Sequence, residues 1–340
     1  MANFSNLRGM LLEEAILYLL RASGYQTVDS ADGDDTLESH SAGIAVKGRG
    51  GKHQIDAIAD FTVTPPFSYP QRLLLEAKCY NRAIGIEVAR NGFGVLRDAE
   101  EFWVPSPTST ILRKRYHYQY AIASISGFSE DTQEYAYAHD IYLLALEKAS
   151  YFQQVREAIN AFSDDNNEIS ITRGKRQLHK IRMSIRENLR QPRVQLPNDI
   201  NETTLPLFIR FIEACRTVGT GVIALLNNRF PVILIPNPDI QLGSIEEQLV
   251  RIFRGEEERG WYITTQNRRQ RLFSFDIPKE MFEFYADSGE LTPKQALDLK
   301  ADNMGTIQLI IVVNERVRII TLRLDTNWID RLREQLDEER

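Results

Sequence analysis

The sequence predicts an α/β unit over about residues 1–150 and a mixed α+β domain over 201–340, joined by a helical basic connector over 151–200. Three observations carry this. A helical apolar stripe opens the chain, and apolar strand-like runs then alternate with helical ones up to Leu146. A polar break at Asp164–Asn167 and prolines at 192 and 197 bracket the connector. A length of 340 residues favours two domains by itself.

The elements follow in order. Residues 5–23 predict a helix, because Leu12, Ile16, Leu19 and Leu20 form one stripe and Gly24 stands where a helix stops. Residues 29–38 are an acidic, turn-rich loop. Strand-like runs cover 43–46, 54–63 and 73–79, and Pro65, Pro66 and Pro70 mark the loop between the last two. Residues 84–103 read as a helix on the spacing of Ala89, Phe93, Leu96 and Trp103, although Gly92 and Gly94 work against it. A strand over 118–125 precedes a helix over 129–139, which Ser129 would cap with acids in its first turn, and a strand over 141–146. In the connector, Leu178, Ile181, Ile185 and Leu189 share a helical face. Beyond 203 the pattern gives a helix over 205–217, strands over 221–225 and 232–235, and a hairpin of 307–313 and 317–324 about Asn314–Glu315; a charged helix closes the chain.

Composition excludes several classes. With 43% apolar and 26% charged residues the chain is globular rather than disordered. No apolar run is long enough to span a membrane, and the first ten residues lack the layout of a signal peptide. Two distant cysteines, Cys79 and Cys215, exclude a disulfide framework and a CxxC metal site. The five histidines (His40, His53, His117, His139, His179) have no ligand spacing, which argues against zinc. The expectation is a cytoplasmic protein with reduced thiols and no membrane contact.

Three acids and a lysine stand out. Glu76 and Lys78 are two apart in LLLEAKCYN and so share a strand face, interrupting an apolar run. Burying two charges there is costly unless they serve something. A divalent cation is one such purpose: Mg²⁺, with Mn²⁺ as the alternative, prefers carboxylate oxygens, and Asp56 and Glu76 with the Ala77 carbonyl would supply them. Lys78 would then orient or help deprotonate the attacking water and stabilise phosphate charge. Glu13 lies on the flank of the first helix's stripe and can reach the core edge, whereas Glu14 points nearly opposite and is expected in solvent. The bland alternative is surface salt bridging on an amphipathic strand.

Further motifs occur in order: Gly9, Glu13, Leu19 and Leu20 in the first helix with Gly24 and Tyr25 just after it; GRGGxxxID from Gly48 to Asp56; LLEAKCYN from Leu74 to Asn81; and SGFSEDTQEYAYAHDIYLL from Ser126 to Leu144. Together they resemble the Mrr-like restriction endonucleases of the PD-(D/E)xK nuclease superfamily, over about residues 5–146. The resemblance implies a restriction-endonuclease-like fold, a mixed central sheet flanked by helices, and Mg²⁺-dependent phosphodiester cleavage, mostly of DNA. It places the helical acid on Glu13, the metal acids on Asp56 and Glu76, and the lysine on Lys78. Ile55 stands where the family name has proline, and Glu76 where many Mrr-like members have glutamine. Residues from about 150 onward match no family.

Other residues have two readings each. His53 would touch phosphate or merely sit exposed. Gly50 and Gly51 would offer backbone N–H groups to phosphate or form a plain turn. Asp60 shares a strand face with Asp56 and is the fallback metal acid. Asn81 and Arg82 follow the lysine strand and would meet the DNA backbone. Arg113, Lys114 and Arg115, with Tyr116, Tyr118 and Tyr120, read as a phosphate edge or as a loop entering a half-buried strand. The connector helix, through Lys180, Arg182 and Arg186, would lay a basic face on phosphates, or pair with acidic neighbours. Arg268, Arg269 and Arg271 beside Trp261 and Tyr262 form a weaker patch.

The function expected is a Mg²⁺-dependent DNA endonuclease of restriction or phage-defence type. It would act on double-stranded DNA as a homodimer, with the C-terminal domain recognising a target, a modification or a protein partner. The alternatives are a nucleic-acid-binding module that does not cut and an effector gated by a partner. The net charge of −6 runs against the basic balance expected of a DNA-binding protein. Residues 1–150 hold 14 basic and 19 acidic residues, but 173–193 holds eight bases and one acid. Phosphate binding is therefore expected to be local, metal-assisted and shared with the connector helix.

Overall fold

The computed structural model describes residues 4–40, 43–102, 115–147, 149–162, 175–191, 204–219, 221–227, 230–255, 260–277, 281, 285, 291–314 and 316–338. They form two units, Met1–Arg21 with Tyr25–Gly219, and Ala22–Gly24 with Thr220–Arg340.

The first unit opens with α1 (Phe4–Ala22). Short strands follow: β1 (Tyr25–Thr27), β2 (Leu37–His40), β3 (Gly43–Lys47), β4 (Lys52–Ile55) and β5 (Ala57–Phe61). Then come β6 (Gln71–Lys78), α2 (Ile86–Glu101), β7 (His117–Ser124), α3 (Glu130–Ala138) and β8 (Ile141–Ala145). The central sheet has the order β1-β5-β6-β7-β8. It is mixed: β5 runs antiparallel to β1 and β6, while β6, β7 and β8 are parallel. A smaller sheet, β2-β3-β4, stands apart from it.

The single strand expected over 54–63 is in fact two. Ile55 pairs with Ile44 in the small sheet, Ala57 pairs with Leu75 in the central sheet, and Asp56 is the residue at which the chain changes sheets. One face of the central sheet, with Ile58, Leu74, Tyr118, Tyr120 and Ile122, is buried against Ala89, Val95, Leu96 and Ala99 of α2. Gly92 has a packing reason: a Cβ there would stand 2.5 Å from the Tyr120 ring. The Ser129 cap of α3 is present, its side chain accepting from the Thr132 N–H.

This unit continues past residue 150. Helices α4 (Gln153–Asn160), α5 (Lys175–Arg190) and α6 (Leu205–Val218) belong to it. Phe152, Ile159, Phe162, Ile185, Phe208 and Phe211 are all fully buried. The described helices of the expected connector, α4 and α5, thus pack into this unit, with Ile181, Ile185 and Leu189 of α5 buried. The breaks at 164–167, 192 and 197, with Trp103, Arg113 and Lys114, lie outside the described residues.

The second unit is a closed barrel in the order β10-β13-β12-β11-β15-β14-β9. Its strands are β9 (Val222–Leu226), β10 (Phe230–Pro236), β11 (Gln248–Arg254), β12 (Gly260–Thr265), β13 (Arg271–Asp276), β14 (Thr306–Val313) and β15 (Arg316–Leu324). Two further helices are α7 (Pro293–Asn303) and α8 (Thr326–Glu338). The expected hairpin is β14–β15, with Val313 opposite Arg316 and Asn314 at φ 51°. Ile252, Ile263, Phe273, Leu309 and Leu322 belong to the buried core. Both cysteines are free and buried. Among the described residues no helix is long and apolar enough to cross a membrane.

Candidate active site

Asp56 sits where the chain crosses between sheets, so its backbone is not held in a ladder and its side chain can turn to β6. There the Ala77 N–H donates to Asp56 Oδ2 at 2.8 Å. The strand's alternation carries Glu76 and Lys78 together, and the Lys78 ammonium donates to Glu76 Oε1. The Tyr120 hydroxyl donates to Glu76 Oε2 at 3.3 Å, because Tyr120 on β7 stands opposite Leu74 on the same face. Burial, and then the Glu76 charge, push the Asp56 carboxyl up to about 6, against the Ala77 N–H, Lys78 and Arg182. Burial disfavours the Lys78 ammonium, but its hydrogen bond to Glu76 and the charges of Glu76 and Asp56 prevail and raise its pKa.

Glu13 reaches the same place from α1. Burial pushes it up to about 7, with Asp56 and Glu14 adding repulsion while Arg182 draws it down. Arg182 Nη2 donates to Glu13 Oε2 at 2.5 Å. Glu14 is a correction: expected in solvent, it is only 1% exposed. Arg186 forks onto both its oxygens, at 2.9 and 2.6 Å, and reaches Asp29 at 2.9 Å. Arg190 and Arg21 also bind Asp29, at 2.7 and 3.1 Å. The basic helix therefore turns Arg182 and Arg186 onto acids rather than offering them to solvent, and of its three residues assigned to nucleic acid only Lys180 is exposed. An apolar stripe flanked by arginines docks against the α1 acids because the carboxylates would otherwise be buried unpaired.

The remaining candidates are placed as follows. His53 Nε2 is 2.7 Å from Asp98 Oδ2, and the same carboxylate accepts from the Gly50 and Gly51 N–H groups at 2.7 and 3.1 Å. This trio therefore ties the β3–β4 turn to α2, and those N–H groups are not offered to phosphate. Asp60 is committed to Arg72, which donates to it at 2.6 and 2.8 Å. Asn81 and Arg82 are exposed, and the Arg82 carbonyl accepts from the Ser126 hydroxyl at 2.6 Å. Tyr116, Tyr118 and Tyr120 are buried, so they form no phosphate edge. Trp261 is buried in the barrel core, while Arg268 and Arg271 cover the Phe253 and Tyr262 rings at 4.7 and 4.5 Å. Sequence reasoning missed the Tyr120–Glu76 contact, and it allowed the connector helix to pair with acids without naming Glu13 as the partner of Arg182. The period-two spacing of Tyr118 and Tyr120, which puts both on one strand face, was the available signal for the first.

Among the described residues no group of three or more His, Cys, Asp or Glu side chains stands as a preformed cation cage. The chemistry of the donor set nevertheless fits a hard divalent cation. Asp56 and Glu76 bring two carboxylates into mutual repulsion, Glu13 adds a third charge, and all are oxygen donors.

No family model matches the chain, and no curated protein matches it. Two solved structures are similar to it in part. One is a protein of unknown function, AF1548, at 17% identity and a TM-score of 0.34, covering 62% of this chain and 98% of that one. The other is the MspJI restriction endonuclease in complex with a 27-mer oligonucleotide, at 17% identity and a TM-score of 0.26, covering 52% of this chain and 36% of that one. Neither likeness is close enough to assign a fold or a chemistry.

Proposed function

We propose that the chain is a metal-dependent endonuclease that hydrolyses phosphodiester bonds of double-stranded DNA, of restriction or phage-defence type. The observation that carries this reading is the junction at Asp56. One residue between two sheets is fixed by the Ala77 N–H beside Glu76, with Lys78 on Glu76 and Glu13 close by. This gives two or three carboxylates and a cation at the end of one strand, which is what an attack of water on a phosphodiester needs.

Asp56 and Glu76 would hold a Mg²⁺ or Mn²⁺ ion, with the Ala77 carbonyl as a further oxygen. Such a cation supplies an activated water and neutralises charge on the phosphoryl oxygens. Lys78 is anchored by one N–H on Glu76. Its remaining donors orient the water and stabilise the negative charge that grows as the P–O bond breaks. Anchored in this way, Lys78 serves as an electrostatic donor rather than as the base. Tyr120 fixes the other Glu76 oxygen, and so the rotamer from which Glu76 acts. Cutting both strands calls for two such sites, hence the homodimer, and leaves the barrel unit for target or partner recognition.

The test is plasmid cleavage with Mg²⁺, on methylated and unmethylated DNA. Lys78→Ala and Asp56→Ala are each expected to lower the rate by about 10²-fold or more, as loss of a transition-state charge partner does. Variants that cut as fast as the wild type would refute the reading.

A further inference from the structure

Arg182 belongs to a helix that the nuclease reading does not require, yet it enters the carboxylate cluster. Its Nη2 donates to Glu13, and its Nε lies 3.7 Å from Glu14 Oε1. It is held there by a ladder of alternating charge between α5 and the acids of α1 and of the loop after β1: Glu13, Arg182, Glu14, Arg186, Asp29 and Arg190. Adding Asp56, Glu76, Lys78 and Arg21, five carboxylates stand against five cations when all are ionised. A dication entering it meets carboxylates already matched. Lys78 is tied to Glu76 on its own strand, whereas Arg182 sits on a long side chain that is 24% exposed and makes no Nη1 hydrogen bond among the described residues. A guanidinium fork suits carboxylate and phosphate oxygens alike.

Resting on the reading of Asp56 and Glu76 as the cation-binding carboxylates, we propose that Arg182 is a positioning residue that holds Glu13 beside them. Its charge opposes the divalent cation, and the cation in turn releases it to the substrate's phosphodiester. Two like charges in one carboxylate cluster repel, and the coupling is reciprocal: what weakens the Arg182–Glu13 contact strengthens cation binding, and the reverse.

The experiment is calorimetric titration of the full chain with Mg²⁺ at pH 8.5 without DNA, followed by cleavage kinetics. Arg182→Gln is expected to bind Mg²⁺ about tenfold more tightly, within the usual range of coupling between two sites. It should also show a higher KM for DNA. Arg182→Lys keeps the charge and is expected to bind Mg²⁺ as the wild type does. Arg190→Gln, at the outer end of the ladder, should lower the melting temperature without changing Mg²⁺ affinity. A merely structural role for Arg182 would not move metal and DNA affinity in opposite directions. Unchanged or weaker Mg²⁺ binding by Arg182→Gln overturns the proposal, provided the wild type binds and Asp56→Asn does not. If the wild type shows no binding that Asp56→Asn removes, the nuclease reading itself fails and this inference with it. Should Arg182→Gln not fold, the wild type's Arg182 Nε–H NMR signal, assigned with Arg182→Lys, serves instead. It must shift on adding Mg²⁺, and an unmoved signal overturns the proposal.

Discussion

Arg72 is 1% exposed, and no charge could sit there unpaired. Its guanidinium donates to Asp60 twice, to Thr36 at 2.9 Å and to Asp34 at 2.8 Å, and lies 3.6 Å above the Tyr116 ring centre. Asp34 also accepts from the Thr36 backbone and hydroxyl, at 2.9 and 2.6 Å, and from the Tyr116 hydroxyl at 2.9 Å. Burial alone would raise the Asp34 carboxyl, but the Thr36 and Arg72 hydrogen bonds outweigh it and hold the group well below its ordinary 3.8. The native state therefore binds fewer protons here than the unfolded chain. The resulting stability is complete above pH 3.8 and is lost as pH falls below it. Asp34→Asn is expected to cost about 2–3 kcal/mol at pH 7, the scale of a hydrogen bond to a charged group. The difference from the wild type should shrink at pH 3. Urea denaturation at the two pH values measures this, and an equal difference at both would show that Asp34 acts by shape rather than by charge. Asp34 lies in a stretch that the sequence reads only as an acidic loop. Its partner is 38 residues away, so no local pattern could have disclosed it.

Among the elements, those with local causes were legible. The Ser129 cap, the β14–β15 hairpin about Asn314 and the helix through Ala89 and Leu96 each follow from neighbours within a turn or two. The pairing of Glu76 with Lys78 is equally local, since strand alternation alone puts them on one face. What long-range contacts decide was not legible. The apolar run across Asp56 gives no hint that its two halves join different sheets. Strand β11 alternates buried Val250 and Ile252 with the less buried Arg251, a pattern that means little until the barrel closes around it. Helix α5 is the clearest case, because its basic residues are equally compatible with DNA and with the α1 acids. Arg186 and Glu14 lie 172 residues apart. Removing Arg186 leaves a buried carboxylate without its fork, so Arg186→Ala is expected to cost about 3–5 kcal/mol, whereas Arg186→Met with Glu14→Gln should recover much of it. Arg190→Ala, at a half-exposed rung, should cost no more than about 1 kcal/mol. Chemical denaturation of the three proteins separates these outcomes. Equal losses for Arg186 and Arg190 would mean that the apolar face, not the ladder, docks the helix.

For the whole molecule, the question is where the unit carrying the candidate site ends. Sequence periodicity closes it near residue 150, after the last strand of the central sheet, and at that point its α/β pattern is complete. The physical boundary is Gly219. The reason is burial: Phe162 packs on Phe208 with ring centres 4.9 Å apart, Ile181 and Ile185 are core, and Glu13 and Glu14 form their ion pairs with Arg182 and Arg186 of α5. A chain ending at 150 would expose the apolar surface that α4, α5 and α6 cover and would leave Glu14 without a partner. Losing several large buried side chains, each contributing about 1.5–3 kcal/mol, exceeds the margin by which a domain of this size is stable. The fragment 1–150 is therefore expected to lack a cooperative thermal transition, whereas 1–219 should melt cooperatively and keep its sensitivity to Arg186→Ala. Circular dichroism melts of both fragments measure this. A cooperative, native-like 1–150 fragment would return α5 to the status of an appended connector. It would also leave its arginines free for DNA, one of the two readings that the sequence allows.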